Sequence, residues 1–584
     1  LYACADELAR RRGELIEVMG AETGKTLAEG DVEVSEAIDF CRYYADQSLE
    51  LERTPGATAV PVGLTLVVPP WNFPTAIPCG GTVAALATGS PVIMKPAPQA
   101  ERTAACVVEA LWAGGVPKEV LRFAPIGEGD AAHRLVTHEA IGRLIFTGSS
   151  ETAARFRQWR PDLVLVGETS GKNGIIVTPA ADYDLAANDL ARSAFLHAGQ
   201  KCSAASLGIL VGSVGSSERF LRQLVDAVET LCVGYPDDPT SQVGPVIEEA
   251  SGKLERALTT LGEGERWLLQ PKRLDDTGRL WSPGVRVGVE PGSDTHLTEF
   301  FGPHLSLIRV DTLEEAIEVQ NGTEYGLTAG IHSLDADEVR QWLGAVDAGN
   351  LYIGRGITGA IVRRQPFGGW KLSQVGPGAK AGGPNYLSTL VDWVADEHDS
   401  DASFLRAAQD SDLRVWESEF AAARDVSALG VERNVLRYRP TREVLVRVTD
   451  GARQVEVQRV LSAVIRTGSH IRLSTAIPLE DSVAKLGCVA EYALEDDAEF
   501  HARLARPGSL DERNEQDRVR RIRVVGPDPE VRRLVAEDVR VAVYDQPVTA
   551  SGRLEMLPFL REQAVSLTAH RYGNADPRFV ELRL

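Results

Sequence analysis

LTLVVPPWNFPTAIPCGGTVAALATGSPVIMKPAP, residues 64–98, holds two continuous apolar runs around one segment of small residues. LTLVV (64–68) and PVIMK (91–95) are β-branched and short enough to be strands, and 75–88 has the length and composition of a helix. Strands that are apolar on both faces, with a helix between them, belong in a parallel sheet covered on both sides. The pattern continues outward: a helix over 101–113, a strand at LRFAPI (121–126), a helix over 129–137, a strand at RLIFTG (143–148), a helix over 150–159, and a strand at DLVLVGE (162–168). The expected fold class is therefore α/β, beginning with a doubly wound domain. The stretch also bears on membranes. Residues 54–94 carry no charge over 41 positions, but they include seven prolines and no proline-free run longer than 12. A spanning helix needs about 20 apolar residues, so this segment is read as buried core.

The alternation restarts at 174–177, with a helix over 183–197, a strand over 207–211 and a helix over 216–231; this second α/β unit ends near 370. Residues 371–384 are rich in Gly and Pro and read as a loop. YLSTLVDWV (386–394) reads as an apolar strand in need of a partner, another subunit being one candidate. A third α/β pattern fills 401–584, with strands expected at 443–448, 468–475, 519–526 and 539–545. Within it the run RVRRIR (518–523) reads as a solvated strand edge, or as an anion site. The divisions are 1–170, 171–370, 371–398 and 399–584. Net charge is −21 over 584 residues, and −19 of it falls before position 401 (34 basic against 53 acidic). That balance argues against nucleic acid and anionic membranes as partners. Seven cysteines with no C-x-x-C pair imply free thiols, a reducing cytoplasmic setting and no metal site. The chain opens at Leu1 already in a helical pattern, so upstream residues are expected to be missing and targeting cannot be read.

Several residues have types and positions suited to chemistry. Cys202, in FLHAGQKCSAAS (195–206), follows a helix and is flanked by small residues that leave space for a substrate. A buried structural cysteine is the alternative. Glu168 ends a strand, where an open α/β sheet places its cleft and a carboxylate can act as a base. Asn72, between the prolines of PPWNFP, offers a rigid amide donor for an oxyanion, or a turn cap. Gly148 and Ser149, in FTGSS (146–150), open a helix whose free N–H groups suit a pyrophosphate, or simply cap it. GEGDAA (127–132) matches G-x-G-x-x-A, a weak signal because no acidic residue follows at the ribose position.

Taken in order, PWNFP (70–74), MKPA (94–97), FTGS (146–149), GETSGKN (167–173), GQKCSA (199–204), EFFGP (299–303) and PFGGWKLS (366–373) resemble the aldehyde dehydrogenase superfamily across about residues 1–398. EVSEAIDFCRYYA (33–45), HAGQKCSA (197–204), SQVGPVIEEA (241–250) and GPGAKAGGPNYL (376–387) look like the L-glutamate-γ-semialdehyde (1-pyrroline-5-carboxylate) dehydrogenases. SGRLEMLPFLREQAVSLTAHRYG (551–573) is similar to the C-terminal domain of long, bifunctional proline utilisation A proteins, in which a proline dehydrogenase precedes the aldehyde dehydrogenase.

The resemblance implies an aldehyde dehydrogenase fold: an NAD-binding domain over 1–170, a catalytic cysteine domain over 171–370, a substrate-anchoring loop and oligomerisation strand over 371–398, and a non-catalytic aldehyde-dehydrogenase-like domain over 399–584. It implies Cys202 as nucleophile, Asn72 and the Cys202 N–H as oxyanion donors, and Glu168 as the base that releases product. NAD is the implied cofactor, with Lys95 and Glu299 at its ribose hydroxyls, Gly148 and Ser149 at the pyrophosphate, Trp71 on the cleft wall and Phe301 beside the nicotinamide. Ser203, Gly382 and Gly383 are the implied donors to the substrate carboxylate, and Glu36 either faces its amino group or is structural. Three departures stand out: Pro98 where an acidic ribose ligand is common, which weakens the preference for NAD over NADP; a longer Gln374–Ala379 stretch; and Ser170 in place of glycine. The implied reaction is oxidation of L-glutamate γ-semialdehyde to L-glutamate through a thiohemiacetal and a thioester, the second step of proline catabolism. A homo-oligomer is expected, with a proline dehydrogenase partner in cis or in trans; FAD belongs only to such an upstream domain. The alternatives are a non-catalytic scaffold of the same fold, or the same chemistry on another semialdehyde such as succinate semialdehyde.

Overall fold

The computed structural model describes residues 1–441, 444–506, 508–510 and 518–584; Glu443, at the start of one expected strand, lies outside them. Residues 64–98 fold as the strand Thr65–Val68, the helix Ala76–Ala87 and the strand Val92–Met94. Their sheet has six strands in the order Gln374–Val375, Leu165–Glu168, Arg143–Thr147, Thr65–Val68, Val92–Met94, Leu121–Phe123. All are parallel except Gln374–Val375. From Thr65–Val68 the chain winds outward to Leu121–Phe123, then returns to place Arg143–Thr147 on the other side of the starting strand. The reversal opens a crevice at the carboxyl ends of Thr65–Val68 and Arg143–Thr147, where open α/β sheets bind ligands. The GEGDAA motif follows the edge strand Leu121–Phe123, away from that crevice.

The helix Leu27–Glu52 buries Gly30, Glu33, Val34, Ala37, Ile38, Cys41 and Tyr44, a spacing that keeps one face turned inward. That face meets Ala76–Ala87, so Phe40, Cys41 and Cys79 share one core with the sheet. Of the uncharged 54–94 stretch, residues 65–94 are largely buried here, whereas Pro55, Thr58, Val60, Pro61 and Gly63 are exposed. No helix among the described residues is long and apolar enough to cross a membrane.

The second sheet has ten strands. Asn173–Val177, Ala205–Val211, Gly284–Val287, His304–Val310, Thr328–His332 and Asn350–Ile353 run parallel at its centre. Leu560–Thr568 then adds in parallel beside Asn350–Ile353, with Asn350 opposite Ala564, and Glu432–Pro440 pairs antiparallel with it. The chain after 399 is therefore divided between two structures. Its ends complete the second sheet, and only its middle forms a sheet of its own: Val489–Leu494, Ile471–Thr475, Val444–Val448, Arg521–Val525 and Ala542–Tyr544, all parallel. Val489–Leu494 (VAEYAL), which is not among the expected strands, lies at the sheet edge with its side chains largely exposed.

Two sequence expectations are corrected. The apolar run at 386–394 forms a short 3₁₀ turn, Leu387–Thr389, and then the strand Val391–Ala395. That strand pairs antiparallel with Ala57–Pro61 of the same chain, and Val391 and Trp393 pack with Ala57 against Leu554. RVRRIR is not a solvated edge. Arg521–Val525 is an inner strand; Arg523 is fully buried and pairs with Glu555 at 2.9 Å, and Arg521 donates to the carbonyls of Leu557, Pro558 and Leu560. Removing one partner of a buried pair strands the other charge, at about 3–5 kcal/mol. Glu555→Ala is therefore expected to lower the unfolding free energy by about that much in urea titration; a loss below about 1 kcal/mol would put the pair in contact with water.

Candidate active site

A cavity of about 830 Å³ runs from the crevice of the first sheet to the second sheet. Its lining includes Trp71, Asn72, Gly148, Ser149, Glu168, Cys202, Ser203, Glu299 and Phe301, residues that are far apart in sequence. Asn72 sits on the turn after Thr65–Val68, Ser149 on the turn after Arg143–Thr147, and Glu168 at the end of Leu165–Glu168.

Cys202 is held by an unusual backbone. His197, Ala198 and Gly199 all have positive φ (56°, 52° and 67°). At Gly199 a side chain would meet the Gly302 carbonyl at 2.1 Å, so only glycine allows the two loops to touch. Asn173, not among the expected site residues, fixes the loop: its amide donates to the carbonyls of Cys202 (2.7 Å) and Ala204 (3.0 Å) and accepts from the Thr328 N–H. Gln200 links the same loop to Phe301 and Ile247. Asn72 donates one amide hydrogen to the Gln200 carbonyl at 3.0 Å, which leaves its second for a ligand.

The electrostatics separate the two ionisable groups. Burial, with the charges of Glu168 and Glu299, pushes the Cys202 thiol up to about 12. The thiol is protonated at neutral pH, so its proton must leave as a bond to carbon forms. Burial pushes Glu168 up to about 7, opposed by Lys380 and the Ala381 amide. A carboxyl near 7 exchanges protons readily at physiological pH. Glu36, also on the cavity wall, rises to about 8 through burial and its neighbour Glu33.

The residues expected at a dinucleotide divide. Trp71 and Phe301 meet edge to face at 5.8 Å across the cavity, and the Glu299 carboxylate accepts from the Gly171 N–H at 2.9 Å. Ser149 lines the cavity and also caps the helix Ser150–Trp159, accepting from the Thr152 N–H at 3.2 Å. Lys95 follows Val92–Met94, is nearly buried, and turns its ammonium to the Pro96 carbonyl at 3.3 Å; it does not line the cavity. A crevice at a strand-order reversal, the free N–H groups of a helix start, a carboxylate and an aromatic pair together fit an extended dinucleotide.

Gly382 and Gly383 are corrected as carboxylate donors. The Gly382 N–H donates to the Tyr44 hydroxyl at 2.8 Å and the Gly383 N–H to the Lys380 carbonyl at 3.0 Å, and neither residue lines the cavity. The cavity wall is supplied instead by Arg355, Gly356, Thr358, Gly359 and Ala360, in the loop after Asn350–Ile353. The available signal was RGITGA (355–360), two glycines around a threonine at a strand end, with Gly359 at φ 97°.

A strand-order crevice, a cavity reaching from it to the second sheet, and a partly buried cysteine sharing that cavity with a carboxylate and an amide suit a dinucleotide-dependent enzyme acting through a thiol. Residues 1–394 match the aldehyde dehydrogenase family model, and the chain belongs to that family. It is 37% identical over 415 residues to a 1-pyrroline-5-carboxylate dehydrogenase of Geobacillus sp. (strain WCH70), covering 66% of this chain and 78% of the relative. Among solved structures, proline utilization A from Corynebacterium freiburgense superposes with a TM-score of 0.86 at 45% identity, covering 98% of this chain; the chain spans 57% of that protein. A Thermus 1-pyrroline-5-carboxylate dehydrogenase with bound NAD superposes with a TM-score of 0.62 at 35% identity, over 67% of this chain and 79% of that one.

Proposed function

We propose that this chain oxidises L-glutamate γ-semialdehyde, the open form of 1-pyrroline-5-carboxylate, to L-glutamate with NAD. The observation that carries the reading is the convergence of Cys202, Glu168 and Asn72 on one cavity whose far end is the dinucleotide crevice. The same convergence disfavours a scaffold without catalysis.

Cys202 adds through sulfur to the aldehyde carbon, and its proton passes to a neighbouring base. The carbonyl oxygen becomes an anion held by the free Asn72 amide hydrogen and the Cys202 N–H. NAD, when bound by Trp71, Gly148, Ser149, Glu299 and Phe301, supplies the acceptor for a hydride, leaving a γ-glutamyl thioester on Cys202. Glu168 then takes a proton from water, the hydroxide attacks the thioester, and glutamate leaves as the thiol is restored. The loop Thr358–Ala360 offers backbone N–H groups to the substrate's α-carboxylate, with the Ser203 hydroxyl beside it, while Glu36 faces its ammonium.

Loss of one oxyanion donor typically costs 10²–10³ in rate, so Asn72→Ala is expected to slow NADH formation by about that factor. NAD binding, followed by tryptophan fluorescence, should be unchanged; a drop below about threefold would move the oxyanion elsewhere. The reading itself is tested by glutamate production from 1-pyrroline-5-carboxylate, with succinate semialdehyde and NADP in parallel. Faster turnover of succinate semialdehyde would reassign the substrate. We propose further that the chain works in the cytoplasm as an oligomer, beside a proline dehydrogenase domain; its likeness to proline utilization A over 98% of its length supports the last of these.

A further inference from the structure

We infer that Glu33 and Lys25, a buried ion pair at the start of the helix Leu27–Glu52, are positioning residues that hold the oxyanion donor Asn72 in register with the Cys202 loop. The inference rests on Asn72 as an oxyanion donor in the proposed reaction.

The helix Ala76–Ala87 cannot cap its own start. Thr75 makes no side-chain cap, the first turn carries no acid, and Pro78 has no N–H. Thr75 and Ala76 are fully buried, so water does not replace the missing cap. Glu33, from the facing helix Leu27–Glu52, supplies the acceptor. Its Oε1 takes the Thr75 N–H at 2.7 Å and the Ala76 N–H at 3.1 Å. Its Oε2 takes a hydrogen from Lys25 Nζ. Both side chains are closed off from solvent, each residue being 1% exposed. An anionic acceptor at a helix start is held more tightly than a neutral one, and the lysine offsets its charge. Lys25 is placed in turn by Gly24, at φ 73°, where a side chain would meet Pro245 Cγ at 2.5 Å.

The anchor adjoins the oxyanion donor. Asn72 lies in the bend Pro70–Pro74, whose two prolines have no N–H to donate, so flanking groups must hold it. On one side the Asn72 amide donates to the Gln200 carbonyl of the Cys202 loop at 3.0 Å. On the other, Thr75 and Ala76 are tied to Glu33. Phe73, next to Asn72, lies between the two: the Lys25 ammonium is 4.2 Å from its ring centre, and the His197 ring of the Cys202 loop is 6.2 Å away. Glu33 also borders the active-site cavity with Asn72, so the anchor and the donor share one wall. A donor misplaced by about 1 Å can cost about 10²-fold in rate, which makes a rigid hold on this bend worth a buried ion pair.

The test is a double-mutant cycle on the single-turnover rate of NADH formation in the intact chain. Glu33→Ala removes the acceptor and should slow that rate by about 10–100-fold, with NAD binding unchanged. It strands the Lys25 ammonium, so Lys25→Met/Glu33→Ala carries the test if the single variant does not fold. In an Asn72→Ala background the same change should cost less than about threefold, because no donor is left to misplace. Lys25→Met/Glu33→Gln keeps an uncharged acceptor for Thr75 and Ala76 and should recover most of the loss. Penalties that multiply across the two backgrounds overturn the inference, as does an equal loss with Ala and Gln at position 33. Amide exchange followed by mass spectrometry reads the anchor without turnover. Thr75 and Ala76 should exchange about tenfold faster in Lys25→Met/Glu33→Ala than in wild type, and unchanged exchange overturns the inference. Absence of NADH with wild type would defeat the proposed reaction instead, and exchange at Thr75 and Ala76 would still decide the anchoring.

Discussion

Cys202→Ala is expected to abolish NADH formation from glutamate γ-semialdehyde, by about 10⁴-fold or more, because the thiol forms the covalent bond on which every later step depends. No other cysteine lines the cavity among the described residues. Ser203 is adjacent, but a hydroxyl ionises far less readily than even a thiol pushed up to about 12. The substitution removes one sulfur from a partly buried position that faces the cavity, on a loop held by Asn173 and Gln200, so the fold and the dinucleotide crevice should survive. Near-native NAD binding with no turnover is the expected pair of results. Residual activity above about one per cent would mean that another group is the nucleophile.

Glu168→Gln should separate the two halves of the reaction. The amide keeps the shape of the carboxyl but cannot take a proton from water. Oxidation should proceed once per site, giving one equivalent of NADH, and the steady rate should then fall by about 10²–10⁴. In wild type the hydrolytic phase should weaken as pH falls through about 7, because the carboxylate is the active form and protonation removes it. In the variant that dependence should disappear. Loss of the first equivalent along with the steady rate would mean that Glu168 also serves the attack by Cys202.

The sheets were largely legible because parallel strands are apolar on both faces. Val92–Met94 and Arg143–Thr147 show as short β-branched runs, and the crevice follows from their order. Cys202, Glu168 and Asn72 were legible as residue types at strand or helix ends, and the ordered motifs joined them. Other features depended on long-range contacts that no local pattern records. The partner of Val391–Ala395 is more than 300 positions away, in Ala57–Pro61. Gly382 and Gly383 have bare amides in sequence, but Tyr44 and Lys380 occupy them in the fold. Arg521 and Arg523 look solvated until Glu555 and three carbonyls close over them. Asn173 and Lys380 stand inside the motifs GETSGKN and GPGAKAGGPNYL, but their partners show only in the fold, where Asn173 meets Cys202, Ala204 and Thr328 and Lys380 meets Asn350 and Glu562.

The central claim is that the oxidised carbon rests on Cys202 before water releases it. The most direct measurement is a single turnover of the Glu168→Gln protein with NAD and 1-pyrroline-5-carboxylate, stopped in acid and weighed as peptides. A γ-glutamyl mass on the Cys202 peptide, equal in amount to the NADH formed, is the predicted result. NADH formed with Cys202 unmodified would contradict it.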